Sequence, residues 1–237
     1  MTKARFDRDG YSVAALFPPA LIQAARQDLS DHLDRVAKAL YLPFAASLPD
    51  EPLGTRLDRV FRANRSLANL LCMALQTDAH SGPRLQALAH RPELLRMAEE
   101  LAGCPLDGQP VMRIRANVAA LPDYLYPWRS DVAFDDGSEC ARFRIAAWIA
   151  LTDTGADRCG LEIAPCRLTA PKPHSKNRVL FIPDADVADL PRACPDCPPG
   201  SVLFLDRFTP HRSLPVAGEA RFALSVWFKA ARAPGRS

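Results

Sequence analysis

Residues 111–120 read VMRIRANVAA, and at this point the hydrophobic repeat of the chain changes. Met112, Ile114, Ala116 and Val118 fall on one face of an extended segment, and Arg113, Arg115 and Asn117 on the other. That alternation is the period of a half-buried strand. It persists downstream in FRIAAWIALT (143–152), LEIAP (161–165), RVLFI (178–182), SVLFLD (201–206) and RFALSVWFKA (221–230), runs separated by Gly, Pro and Asp. In the last of these, Arg221, Ala223, Ser225 and Trp227 share one face, and Phe222, Leu224, Val226 and Phe228 the other.

Upstream the period is helical. After a short strand-like run, YSVAALF (11–17), prolines open PPALIQAARQDLSDHLDRVAKAL (18–40), where Ile22, Ala25, Leu29, Leu33, Val36 and Leu40 recur at spacings of three and four. A second helix begins at Pro92, buries Leu94, Leu95, Ala98 and Leu101, and stops before Gly103. Between them, residues 43–66 have weak periodicity and are expected to be loops. Helices followed by strands with no helix between them predict an antiparallel sandwich or open barrel, mostly β, with helices packed outside. A chain of 237 residues is long enough for one large core. A single domain over 1–237 is expected, with 1–109 the mainly helical part and 110–230 the β-barrel core.

Composition narrows the function. The 30 basic and 27 acidic side chains are interspersed, with no clustered Lys/Arg stripe to track phosphates, so nucleic acid is not expected as a partner. No stretch reaches the roughly 20 apolar residues that cross a bilayer, and the N-terminus has no signal-peptide core. Seven cysteines, an odd number in a chain of this size, point to reduced thiols and a cytoplasmic location. Cys194-Pro-Asp-Cys197 lacks a second pair at matching spacing, since Cys159 and Cys166 are seven apart, and reads as loop thiols rather than a zinc knuckle.

Candidate chemistry lies at strand ends. Asp131 follows YPW in LYPWRSDVAF (125–134), His211 lies in FLDRFTPHRS (204–213), and Arg221 comes ten residues later. Taken with FDRDGYSVAALFPPALIQAARQDL (6–29), AAWIALTDTGADRCGLEIAP (146–165) and the C-terminal stretch 198–228, these segments resemble the phytanoyl-CoA dioxygenase family of iron(II)- and 2-oxoglutarate-dependent oxygenases. The resemblance implies a double-stranded β-helix of jelly-roll or cupin type with N-terminal helices outside it. It also implies Fe(II) held by a His-x-Asp pair and a distal histidine, which leave open positions for 2-oxoglutarate and O₂. Asp131 then matches the carboxylate ligand and His211 the distal histidine. Arg221 matches the arginine that pairs with the far carboxylate of 2-oxoglutarate, and Ser225 joins it on that face.

The first ligand position breaks the pattern, because Arg129 stands where the family has histidine. A guanidinium has no acceptor lone pair and a pKa above about 12, so it cannot ligate a cation and repels one beside it. A second departure lies at residues 164–168, APCRL, where the family has Pro-Gly-Ser-His. Three functions are compatible with this set. One is an oxygenase acting on a small molecule through an incomplete triad, with a loop histidine such as His174 or a water supplying the missing ligand. Another is a metal-free relative in which Arg129 pairs with Asp131 and the barrel binds a small acidic ligand or performs non-redox chemistry. The last is a non-catalytic partner subunit of an active homologue. Arg113, Arg115 and Asn117 suit a carboxylate- or phosphate-bearing substrate, and Trp128, Phe134 and Trp148 are candidates to exclude water from the cavity.

Overall fold

The structure, a computed structural model, describes residues 3–75, 82–118, 125–152, 160–216 and 220–232. Residues 119 and 120 of the first quoted strand, and Cys159, lie outside them. Five strands form one antiparallel sheet in the order β1 (Tyr11–Ala15), β7 (Ser201–Asp206), β3 (Phe143–Ala150), β9 (Arg221–Lys229), β2 (Val111–Asn117). β9 lies between β3 and the edge strand β2, with its Ala223 opposite Arg115 of β2 and Ala150 of β3. That register sends Phe222, Leu224, Val226 and Phe228 to one face together with Met112, Ile114, Ala116 and Val118, as alternation predicts.

Helices cover this face. They are α1 (Lys3–Asp9), α2 (Pro19–Ala39), α3 (Leu53–Ala63), α4 (Arg65–Leu75), α5 (Pro83–Ala89) and α6 (Pro92–Ala102). Phe6, Ile22, Leu29, Leu33, Leu57, Leu85 and Leu94 meet the sheet in the larger core cluster. Burying each such side chain contributes roughly 1.5–3 kcal/mol, which makes this the face that stabilises the molecule. The α6 boundaries match expectation: Pro92 opens the helix, and Gly103 ends it in the left-handed region at φ 71°. Leu40, expected on the apolar face of α2, lies one residue past its end and is exposed.

Residues 43–66 depart from expectation. They hold a 3₁₀ turn, η1 (Pro43–Ala45), all of α3 and the start of α4 where loops were predicted. Leu53, Leu57 and Val60 do face the core at helical spacing, but Arg56 shares their side and is buried. Its guanidinium donates to the Ala45 carbonyl, the Ser30 carbonyl and the Asp34 carboxylate. An arginine pointing inward reads as a break in an apolar stripe, and its partners are visible only once the helices are packed.

The other face of the sheet looks onto a short antiparallel pair, β4 (Leu161–Ile163) and β8 (His211–Ser213). Segment 126–129 extends this pair, with Ser213 N–H donating to the Tyr126 carbonyl and Arg129 and His211 exchanging both backbone bonds. Leu161 and Ile163 pack on Ala146, Trp148, Leu203, Leu205 and Ala223, a second core between the two sheets. His211 therefore opens a strand, and the run 178–182 contributes only β6 (Leu180–Phe181), paired with β5 (Ser175–Lys176) and followed by α7 (Asp184–Val187). No helix among the described residues is long and apolar enough to cross a membrane.

Candidate active site

The segment that carries Arg129 alternates like a strand. Trp128 points away from the barrel into a small cluster with Ala164, Ile182 and Val187, flanked by the guanidiniums of Arg192 and Arg212 at 4.5 and 4.9 Å. Arg129 and Asp131 point the other way, into the space between the sheets. A spacing of two in an extended segment is what brings both side chains to one cavity.

His211 is set from the opposite side of the chain. Asp206 ends β7, its carbonyl accepts from Thr209 N–H and its carboxylate from Phe208 N–H, so the chain reverses tightly before β8. The Thr209 hydroxyl donates to the Gly10 carbonyl, and a Cβ at Gly10 would sit 2.2 Å from that hydroxyl. Gly10, at φ 71°, is thus the one residue type that lets the reversal close. The Thr209 carbonyl in turn lies 3.0 Å from His211 Nδ1. With Nδ1 bearing the proton, Nε2 is left as a bare acceptor facing Asp131 Oδ1 at 4.0 Å.

Burial, followed by the positive charge of Arg129, pushes the His211 pKa down to about 4 against the pull of Asp131, so the ring is neutral at physiological pH. Asp131 is held by Trp227, whose indole N–H donates to Oδ1 at 2.8 Å. Its other oxygen, Oδ2, is buried without a donor. Two acceptors therefore face each other across a gap that calls for a cation or a hydrogen-bond donor.

Arg129 does not fill that gap. Its guanidinium lies over the Tyr126 ring at 4.4 Å, 3.5 Å from the Pro127 carbonyl, and makes no ion pair with Asp131. Burial lowers its pKa to about 10, repulsion from Arg115 adds to the effect, and Asp131 opposes it. His174 is no substitute ligand. Its Nδ1 meets the Lys172 carbonyl at 2.8 Å, and its Nε2 accepts from Ser130 N–H at 3.3 Å. Among the described residues no group of three His, Cys, Asp or Glu side chains is placed to share a metal. Cys194 is exposed and Cys197 is buried among apolar side chains, its thiol pushed up to about 12 by desolvation, which suits loop and core thiols.

Arg221 and Ser225 share the barrel face of β9 with Trp227, as alternation predicts, and all three line interior space. Arg221 lies in a cavity of about 20 Å³ with Arg115, Asn117, Tyr126 and Ser213. Asp131, His211 and Ser225 lie in another of about 20 Å³, and Trp148 and Leu161 border both. Each holds no more than one water. Outside them opens a cleft of about 410 Å³ lined by Arg113, Arg115, Arg129, Asp131 and Trp227 among others.

Of the aromatic candidates only Trp148 borders the site, and it does so because a Cβ at Gly160 would stand 2.7 Å from its ring. Trp128 is core and Phe134 is half exposed. The residues missed from the sequence are Tyr126 and the pairing of Trp227 with Asp131. The face of Trp227 was legible, but its partner lies 96 positions away.

A donor set of one carboxylate and one neutral imidazole is one ligand short of a facial triad, and the guanidinium of Arg129 in the same cavity cannot ligate a cation. The residues present do not fit a three-residue iron site.

Helices over one face of a five-stranded antiparallel sheet, with a short sheet over the other, make a fold shared with solved non-heme alpha ketoglutarate dependent enzymes. No family model matches the chain, and no curated protein matches it. Solved structures do. The alpha ketoglutarate dependent carbocyclase SnoK from nogalamycin biosynthesis aligns at TM-score 0.61 and 18% identity over 97% of this chain and 83% of its own. EctD from S. alaskensis, solved with 2-oxoglutarate and 5-hydroxyectoine, aligns at TM-score 0.63 and 18% identity over 96% and 74%. The epimerase SnoN, solved with Fe3+, alpha ketoglutarate and nogalamycin RO, aligns at TM-score 0.54 and 19% identity over 97% and 82%. At these identities the likeness is one of fold.

Proposed function

We propose that the chain is a small-molecule protein of the 2-oxoglutarate oxygenase type, a one-domain double-stranded β-helix of phytanoyl-CoA dioxygenase kind. In this reading Arg221 and Ser225 receive a small diacid such as 2-oxoglutarate, and no three-ligand iron site is assembled. The observation that carries it is the placement of Arg129: it shares the cavity with Asp131 and His211 and brings a positive charge where the fold family brings a ligand. Arginine at the far end suits a carboxylate because its fork makes two parallel hydrogen bonds. The interior cavities are small, so the diacid enters by displacing side chains, with Arg129 and Trp227 nearest the opening cleft. A diacid dianion carries no donor, so His211 Nε2 and Asp131 Oδ2, both acceptors, are left to water or to a hydroxyl-bearing second molecule.

A specific observation favours a second reading. His211 Nε2 and Asp131 Oδ1 face each other at 4.0 Å and Oδ2 lacks a donor, an arrangement that suits two ligands of an iron oxygenase whose third is a water. Anaerobic titration of Fe(II) into wild type and Arg129→His separates the two. Weak binding in wild type with a gain of orders of magnitude in Arg129→His supports the first; tight and equal binding supports the second. Calorimetry with 2-oxoglutarate tests the diacid site independently. Arg221→Ala removes a charge-assisted pair and costs about 2–5 kcal/mol of binding if that site exists, and unchanged affinity removes the assignment.

A further inference from the structure

Among the described residues, the outer cleft holds guanidinium charge without an ion-pair partner. Glu139 on its rim is committed, with Lys229, Arg142 and Arg232 all at about 3.0 Å, and these partners hold its pKa down to about 2. Asp131 is bound by Trp227 and turned to His211. Arg113 on the rim is engaged as well, and Arg115 and Arg129 remain. Neither forms an ion pair among the described residues, and instead they stack on the same ring, Tyr126, at 5.0 and 4.4 Å. Arg115 also lies 5.2 Å from the Trp227 ring, and its Nε is buried without a hydrogen-bond partner.

Such stacking holds the two guanidiniums in place while leaving most of their in-plane donors unused. It also keeps two like charges close together. Both guanidiniums lie over the one ring, so the two charges repel each other. An anion between them would relieve that repulsion and use the donors at once. Beside them the cleft has an apolar wall, made by Val111, Phe143 and Trp227. A volume of about 410 Å³ lies within the range of small-molecule pockets.

We propose that this cleft binds a small organic anion, its oxyanion head bridging the Arg115 and Arg129 guanidiniums and its apolar body lying on Val111, Phe143 and Trp227. The inference rests on the reading of the barrel as a small-molecule site, and not on the diacid at Arg221 or on iron. A carboxylate and a phosphate monoester offer the same head chemistry to two guanidiniums.

The test uses 2-naphthoate, 2-naphthyl phosphate and the uncharged 2-naphthamide, titrated calorimetrically into the full chain. At least one of the two anions is expected to bind, with the amide at least about tenfold weaker, and the tighter anion identifies the head group. Arg115→Gln/Arg129→Gln should lose about tenfold or more in anion affinity, and Arg115→Lys/Arg129→Lys, which keeps both charges but loses the stacked forks, should fall between the Gln pair and wild type. Should the Gln pair fail to fold by circular dichroism, the Lys pair and the amide comparison still decide. Arg221→Ala should bind the naphthyl anions as wild type does. The proposal is overturned if no anion binds, if the amide binds as well as the anions, or if a folded Gln pair keeps its affinity. Loss of naphthyl binding in Arg221→Ala would also overturn it, by moving the ligand to the interior. Failure of 2-oxoglutarate to bind wild type would instead remove the diacid reading and leave this one standing.

Discussion

The two faces of the five-stranded sheet are built from the same strands and do different work. On the helix side Phe222, Leu224, Val226 and Phe228 of β9 are all buried in a continuous apolar core. On the barrel side the intervening residues include Arg221, Ser225 and Trp227, which border two small cavities and a cleft beside a smaller core that holds Ala223. Period-two geometry allows a single strand to serve both, because a change on one face leaves the other face's contacts intact. Stability should therefore reside on the helix side, and recognition on the barrel side.

The most severe challenge to that division is Phe222→Ala. Its side chain is fully buried between sheet and helices, and truncation there typically costs about 3–5 kcal/mol. Denaturant unfolding should show that loss, and a loss below about 1 kcal/mol would mean that the helix side is not the stabilising one.

Next in size is a pH effect from the barrel side. Burial lowers the His211 pKa to about 4 from the ordinary value of 6.5. The unfolded chain takes up the proton first, so stability is constant above about pH 6.5, falls as the pH drops towards 4, and levels off below. A shift of that size corresponds to about 3 kcal/mol. His211→Asn should flatten this part of the stability profile. A profile that keeps its slope in the variant would place the titrating group elsewhere.

Trp227→Phe probes a smaller quantity. It keeps an aromatic wall but removes the N–H that donates to Asp131, leaving a carboxylate with neither oxygen engaged by a donor. The expected loss is about 1–3 kcal/mol in thermal or chemical unfolding, with naphthyl-anion affinity changed less than in the Arg115/Arg129 pair. No loss would show that the Asp131 carboxylate is solvated in solution.

Ser225→Ala should do least. Removing one hydroxyl beside a cavity changes stability by no more than about 1 kcal/mol, while 2-oxoglutarate affinity by calorimetry should fall if Ser225 lies on the diacid side. A stability loss matching that of Phe222→Ala would erase the distinction between the faces.

The sequence on its own determined much of this. Alternation along 111–118 and 221–228 set the strands and assigned residues 221–228 of β9 to their faces, because side-chain direction in a strand follows from position alone. Proline at the start and glycine past the end bounded α6 for equally local reasons. Ligand chemistry showed that Arg129 cannot hold a metal, which sets it against the pattern that the resemblance implies. What remained hidden depends on partners distant in the chain. The helix α3 was obscured by Arg56, whose acceptors on Ser30, Asp34 and Ala45 come from other elements. His174 read as a candidate ligand until packing engaged both of its ring nitrogens. Neither the hold of Trp227 on Asp131 nor the stacking of Arg115 and Arg129 on Tyr126 follows from composition or period. A local pattern fixes which way a side chain points, but what it meets there is decided by the chain segments that the fold brings opposite.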